Sequence, residues 1–258
     1  MGDHETSVTA VIQARISSTR LPGKVMLPLS GAPMLQRQLE RVQQAHTLTG
    51  IVVATSSDIS DDPIEELCRA LNVDCYRGDL TNVLARFTGA IAQFPTDVVV
   101  RITADCPLIS PAVIDSVVEE FLHADCDYLS NTLEPSYPDG LDVEVMRAQA
   151  LLDIDTSDRD PLEQEHVTLG IYRQPERFSV RNFTGPQDLS HLRWTVDSPE
   201  DYEFAAWVYR ELYLANPNFE LSDVLELLDR NPDRSRTTSD AKRNAALDGV
   251  ETGAMKHS

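Results

Sequence analysis

Basic residues are scarce in this 258-residue chain: 22 lysines and arginines face 42 aspartates and glutamates, a formal charge of -20 with histidines neutral. So little positive charge disfavours nonspecific binding to nucleic acid or to anionic membranes, and an anionic ligand has to be attracted locally. Long apolar runs are missing too. No stretch approaches the roughly 20 residues that span a bilayer, and Met1-Gly-Asp-His-Glu-Thr6 has neither the basic nor the apolar region of a signal peptide. A cytoplasmic location is expected. The four cysteines, Cys68, Cys75, Cys106 and Cys126, have no paired C-x-x-C spacing, which speaks against a zinc site or a thioredoxin-like motif and for reduced, mostly buried thiols. The glycine spacings of the Walker A loop and of the dinucleotide fingerprint are absent. No Ser, Cys or His carries a nucleophile-elbow or Cys-His signature, which argues against covalent double displacement.

What is present begins at Val8-Thr-Ala-Val-Ile-Gln-Ala-Arg-Ile-Ser-Ser-Thr-Arg-Leu-Pro-Gly-Lys24. Val8, Ala10, Val11 and Ile12 read as a strand buried on both faces, and ligands of open α/β sheets bind beyond the carboxyl ends of such strands. Arg15, Arg20 and Lys24 therefore stand where a ligand would. Three cations in ten residues repel one another unless an anion such as a triphosphate accepts their hydrogen bonds. Ser17, Ser18 and Gly23 add small side chains and accessible amides.

Strand and helix patterns then alternate. Ile51–Ala54, Val73–Tyr76 and Asp97–Ile102 read as strands; Pro33 to about Ala45, Pro63–Leu71 with Asp62 as N-cap, and Thr81 to about Phe94 read as helices, with Ser110-Pro111 opening another. This rhythm implies a three-layer α/β fold around a mostly parallel sheet. Further strands are expected near Asp142–Met146 and Phe178–Arg181. The expected organisation is a flexible N-terminus over 1–7, one domain over 8–231 with an accessory sugar-binding region at about 127–184, and a flexible tail over 232–258.

Two aspartates stand out. Asp105 follows an apolar strand, so its carboxylate is expected at the ligand-binding edge, where it suits Mg²⁺, an ion that prefers oxygen ligands and accepts nucleotide phosphates; an Asp capping a turn has the same spacing. Asp197 ends the strand-like Leu192-Arg-Trp-Thr-Val196, and Ser198-Pro-Glu-Asp201 forms a capping box with Ser198 as the better cap, leaving Asp197 to face a ligand. Arg77 and Asp79 follow a strand and suit either base or sugar, while Asn82 suits a first helical turn. Asp142 and Glu144 alternate with apolar residues and suit sugar hydroxyls or a solvated face equally. Trp194 and Phe204 read as core.

Arg15-Ile-Ser-Ser-Thr-Arg-Leu-Pro-Gly-Lys24 resembles the signature loop of the sugar-activating cytidylyltransferases, both the 3-deoxy-manno-octulosonate cytidylyltransferases and the SpsF-like spore-coat-polysaccharide proteins, the SpsF-like branch more closely. Colinear matches follow at Gly31-Ala-Pro-Met-Leu35, Arg77-Gly-Asp79 with Asn82-Val-Leu84, Arg101-Ile-Thr-Ala-Asp-Cys-Pro-Leu-Ile109, Asp139-Gly-Leu-Asp-Val143, Glu165-His-Val167 with Tyr172, and Val196-Asp-Ser-Pro-Glu-Asp201. The resemblance implies a nucleotide-diphospho-sugar transferase fold, GT-A-like and Rossmann-like. It implies transfer of a cytidylyl group from CTP to a sugar of the acidic ulosonic type, giving a CMP-sugar and pyrophosphate for surface polysaccharide or glycan biosynthesis. Arg15, Lys24, Asp105 and Asp197 would be catalytic, with Mg²⁺ on the two aspartates. Gln13, Ala14, Arg15, Ser18, Arg20, Lys24, Arg77 and Asp79 would bind the nucleotide, and Asp142, Glu144, His166 and Tyr172 the sugar. Arg77, Arg101 and Arg173 are available for a sugar carboxylate. CTP and the sugar are the implied partners, with homodimerisation open.

Three other readings remain. A nucleotide-sugar glycosyltransferase would carry a D-x-D pair, which Asp142-Val-Glu144 only loosely imitates; a nucleotidyltransferase acting on a polyol phosphate shares the fold; an inactive nucleotide-binding protein would have lost the metal ligands. The chain departs from the SpsF-like pattern at Ser17 and Ala104, where glycine is frequent, which matters if either backbone needs positive φ.

Overall fold

In the computed structural model, residues 6–154 and 161–239 are described. The expected termini 1–5 and 240–258, and residues 155–160 of the expected sugar-binding region, lie outside the described residues. Strand β1 (Val8–Gln13) is buried on both faces up to its last residue, as its largely apolar run requires. A short hairpin, β2 (Pro28–Leu29) and β3 (Ala32–Pro33), turns at Ser30 and Gly31, both at positive φ. Then come α1 (Met34–Val42), β4 (Gly50–Ser56), α2 (Asp62–Leu71), β5 (Asp74–Gly78), α3 (Val83–Gln93), β6 (Val98–Thr103) and α4 (Pro111–His123). The remainder comprises β7 (Tyr128–Ser130), β8 (Glu144–Arg147), α5 (Ala148–Ile154), α6 (Pro161–Glu165), α7 (Leu169–Tyr172), β9 (Val180–Asn182), α8 (Pro199–Leu212) and α9 (Leu221–Arg230).

Among the described residues the main sheet runs β5-β4-β1-β6-β8-β7-β9. Only β8 runs against its neighbours; the other pairings are parallel. Alternate residues of β1 feed two separate cores. Ala10 and Ile12 pack with Leu35 and Leu39 of α1 and Ile114 of α4; Val11 packs with Phe87 of α3 and Leu151 of α5. Each such side chain, fully buried, contributes about 1.5–3 kcal/mol, and together they clamp the sheet between two helical layers.

The chain leaves β1 toward β4 on one side and returns to β6 on the other. The carboxyl ends of β1 and β6 thus flank the point where strand order reverses, the place such sheets present to a ligand. The loop carrying Arg15 to Lys24 follows β1, and Asp105 follows β6.

Local chemistry sets the boundaries. Ser110 and Ser198 cap α4 and α8 with proline at N1, and Ser198 with Asp201 forms the full capping box. Asn82 caps α3, its Oδ1 accepting from Ala85 N at 2.9 Å, so this helix starts two residues later than its apolar pattern suggests. Asp61, not Asp62, occupies the N-cap position of α2. Its carboxylate is held elsewhere. Leu192–Val196 is not a sheet strand: Trp194 N and Thr195 N both donate to Asp139 O, which pins the segment to a turn rather than to a neighbouring strand. Beyond α9, Arg193 N donates to Arg236 O at 2.9 Å and Thr238 N to His191 O at 2.9 Å, tying residues 236–238 to the same segment. Residues 127–184 supply β7, β8 and β9 to the common sheet.

Candidate active site

The loop after β1 is folded back by its own backbone. Ser18 N and Gly23 N both donate to Ile16 O, and Ile16 N donates to Asp61 Oδ1 at 2.7 Å. Asp61 is fully buried, and its other oxygen accepts from Ser56 N and Oγ at the end of β4. One carboxylate therefore fixes the loop to the sheet. Gly23, at φ 71°, makes the left-handed turn that opens a short 3-10 helix at Lys24. Neither Ser17 nor Ala104 has positive φ, so neither substitution strains the backbone.

Lys24 is turned inward, its side chain 12% exposed. Its Nζ donates to Asp105 Oδ2 at 3.2 Å, to Val196 O at 2.8 Å and to Asp197 Oδ1 at 2.9 Å. The two aspartates, 92 positions apart in sequence, meet because Val196 N donates to Asp105 O at 2.8 Å and Thr195 Oγ1 to the same carbonyl at 3.3 Å. Burial opposes charge on both Lys24 and Asp105, but their pairing outweighs it, holding Lys24 above the usual lysine range and Asp105 below the usual carboxylate range. Around the ammonium lie two carboxylates and a carbonyl, an all-oxygen donor set already occupied by a cation. Among the described residues no three His, Cys, Asp or Glu side chains come together as a metal site. Two carboxylates fit Mg²⁺, which completes its shell with water and substrate phosphates.

Asp197 is held from behind. Its Oδ2 accepts from Arg193 Nη2 at 2.9 Å and pairs with Arg20 Nη2 at 3.2 Å. Arg193, 2% exposed, also reaches Asp139 Oδ2 at 2.7 Å and Asp201 Oδ2 at 3.4 Å, and Arg236 Nη2 closes on Asp201 Oδ1 at 3.0 Å. Gly140 lets the Asp139 turn approach: at φ 112°, a Cβ there would lie 2.6 Å from Thr195 N. Sequence reasoning did not single out Asp61, Arg193, Asp139 or Arg236. Arg193 carried a signal, an arginine inside the apolar run Leu192 to Val196, which requires burial with partners.

Of the other expected nucleotide contacts, Arg15 extends into solvent with Glu165 at 3.9 Å, and Ser18 is half-buried in the loop. Ala14 is buried at the sheet edge, and Gln13 Oε1 accepts from Arg101 Nη2 at 2.9 Å. Arg77 does not face the site: its Nη1 pairs with Asp62 at 2.6 Å and Glu65 at 2.8 Å, because the edge strand β5 turns it toward α2. Asp79 closes its own turn, Oδ1 accepting from Thr81 N, Thr81 Oγ1 and Asn82 N.

On the sugar side, Glu144 is not on a solvated face. It is 7% exposed, pairs tightly with Arg101 Nη1, and accepts from Tyr128 Oη at 2.5 Å and Thr168 Oγ1 at 2.6 Å. Burial alone would raise its pKa; Arg101 and the two hydroxyls hold it below the usual range. Glu144 and Arg101 thus satisfy each other's charge within the fold. Asp142, half-buried, lies near Cys106, whose thiol is pushed up by burial and then by Asp105 and Asp142. Burial pushes the His166 imidazole below its ordinary range, and burial pushes Tyr172 up to about 12. Arg173 makes no ion pair among the described residues, and its Nε is buried without a partner. Trp194 and Phe204 are core.

A family profile described as Cytidylyltransferase matches residues 9–217. The spore coat polysaccharide biosynthesis protein SpsF of Bacillus subtilis is 34% identical over 232 residues, 86% of this chain and 94% of that protein. A cytidylyltransferase structure from Leptospira borgpetersenii superposes with a TM-score of 0.84 at 31% identity, covering 89% of this chain and 97% of that one. The structure of a CMP:2-keto-3-deoxy-manno-octonic acid synthetase complexed with CTP shares the fold at 20% identity, TM-score 0.62, over 80% of this chain and all of the other.

Proposed function

This chain belongs to the cytidylyltransferase family, and from that premise we propose that it transfers a cytidylyl group from CTP to an acidic, ulosonic-type sugar in the cytoplasm, for surface polysaccharide or glycan biosynthesis. The observation that carries the reading is the meeting of Lys24 and Arg20 with Asp105 and Asp197 at the strand-order switch point. In the reaction, the sugar hydroxyl oxygen bonds to the α-phosphorus and loses its proton to water, the bond from that phosphorus to the oxygen shared with the β-phosphate breaks, and pyrophosphate leaves with that electron pair. Arg15 and Lys24 balance the charge growing on pyrophosphate, and the rigid loop holds the phosphates in place, so catalysis rests on positioning and electrostatics. Asp105 and Asp197 would hold Mg²⁺, which when bound would supply positive charge to the phosphates and lower the pKa of the attacking hydroxyl. With Arg77 and Arg101 paired internally, Arg173, beside His166 and Tyr172, is the cation left for the sugar carboxylate.

Pyrophosphate release, measured across nucleoside triphosphates and a panel of ulosonic acids and neutral aldoses, tests this. CTP with an acid sugar is expected to turn over, and Asp105→Asn to cut kcat by at least about a hundredfold while the protein stays folded. Equal turnover of neutral sugars would overturn the acid assignment. Near-normal kcat in Asp105→Asn would remove that residue from the mechanism.

A further inference from the structure

Lys24 stands where the metal would. Its ammonium has three hydrogens, and the three oxygens around Nζ, at 2.8, 2.9 and 3.2 Å, engage all of them. The far oxygen of Asp197 is already taken by Arg193 and Arg20, so the oxygen that faces Asp105 is the one Lys24 covers. Mg²⁺ binds carboxylate oxygens at roughly 2.0–2.1 Å. An ion that close to Asp105 and Asp197 would collide with the ammonium hydrogens and meet a like charge between half-buried carboxylates. Both cations cannot be held at once. Lys24 can nevertheless leave without disturbing the loop, because its four-carbon stem is flexible while Ile16, Ser18 and Gly23 hold the backbone.

We propose that Lys24 and a divalent cation exclude one another on the Asp105–Asp197 pair, so that the nucleotide-free protein closes its own metal site with a tethered ammonium. The proposal rests on reading those aspartates as metal ligands. A triphosphate offers Lys24 another set of oxygens, and the pair opens to the metal when the lysine moves to them. Apparent affinity falls by the fraction of time the site is open, so a lysine seated for more than about nine-tenths of the time weakens metal binding about tenfold or more.

The test is Mn²⁺ binding to nucleotide-free protein, followed by the electron paramagnetic resonance signal of free Mn²⁺. Lys24→Met is expected to bind Mn²⁺ at least about tenfold more tightly than wild type. Arg20→Met removes a positive charge from the same Asp197 without vacating the space between the carboxylates, and is expected to change the affinity less than about threefold. The gained site should vanish in Lys24→Met with Asp105→Asn. A gain below about fivefold in Lys24→Met, an equal gain in Arg20→Met, or a gained site that survives Asp105→Asn overturns the proposal. Should circular dichroism show Lys24→Met unfolded, Lys24→Gln, which keeps donors but loses the charge, carries the comparison under the same limits. Turnover enters none of these readings. Absence of pyrophosphate release would overturn the function and leave the exclusion standing; tight Mn²⁺ binding by the nucleotide-free wild type would do the reverse.

Discussion

Changing Glu144 to Gln keeps the side-chain volume and removes one charge from a buried cluster. Glu144, on β8, accepts from Arg101 of β6, Tyr128 of β7 and Thr168 at the start of α7. The amide of Gln has one oxygen for those donors. If it serves Tyr128 and Thr168, its own N–H groups face the Arg101 guanidinium, which then retains only Gln13 Oε1. Leaving one member of a buried ion pair uncompensated costs about 3–5 kcal/mol. For a domain of this size each kcal/mol moves the midpoint by about 2–4 °C, so a drop of about 6–20 °C is expected. Differential scanning calorimetry in neutral buffer measures it. Pairing Glu144→Gln with Arg101→Met removes both charges and should recover stability, with a coupling of at least about 1.5 kcal/mol. A midpoint shift under about 3 °C for Glu144→Gln would refute the buried-pair account and reopen a sugar-facing role.

Gly140→Ala should cost about 3 kcal/mol or more, since it places a Cβ against Thr195 N in left-handed backbone; urea unfolding checks this, and because Thr195 adjoins the Asp197 loop, transfer activity below the midpoint should fall as well. The pH dependence of stability has a definite sign. Asp105, Glu144 and Asp201 all have folded pKa values below their ordinary ones, so their stabilisation is complete above the ordinary carboxylate range and is lost as pH falls through the lowered values. The melting midpoint should therefore hold from neutrality to about pH 5 and decline below about pH 4; in Glu144→Gln the acid decline should be shallower. Lys24, raised above 10.5, contributes below that pH and loses its contribution as pH rises beyond its folded value.

Much of the architecture was legible in residue order. The largely apolar run of β1 read as a strand covered on both faces, and the alternation of strand-like and helix-like segments implied helices on both sides of a mostly parallel sheet. Ser110-Pro111 and Ser198-Pro199 marked helix starts because capping is local chemistry. The basic loop and Asp105 were legible as lying at the carboxyl ends of central strands for the same reason: each directly follows a strand that had to be central. Proximity across the chain was not legible. Glu144 suited a sugar hydroxyl or a solvated face equally until β6 placed Arg101 opposite it in the antiparallel register, and Arg77 suited base or sugar until α2 brought Asp62 and Glu65 to it. Trp194 and Thr195 follow a turn at Asp139 instead of a strand partner, because Gly140 allows two backbones to touch. Sequence by itself determined which residues had to be buried, which helices had caps, and which charges lay at strand ends. The tertiary structure alone decided which of those charges satisfy one another and which remain for a ligand, since a charge taken out of water needs a partner and the partner's position depends on the path of the whole chain.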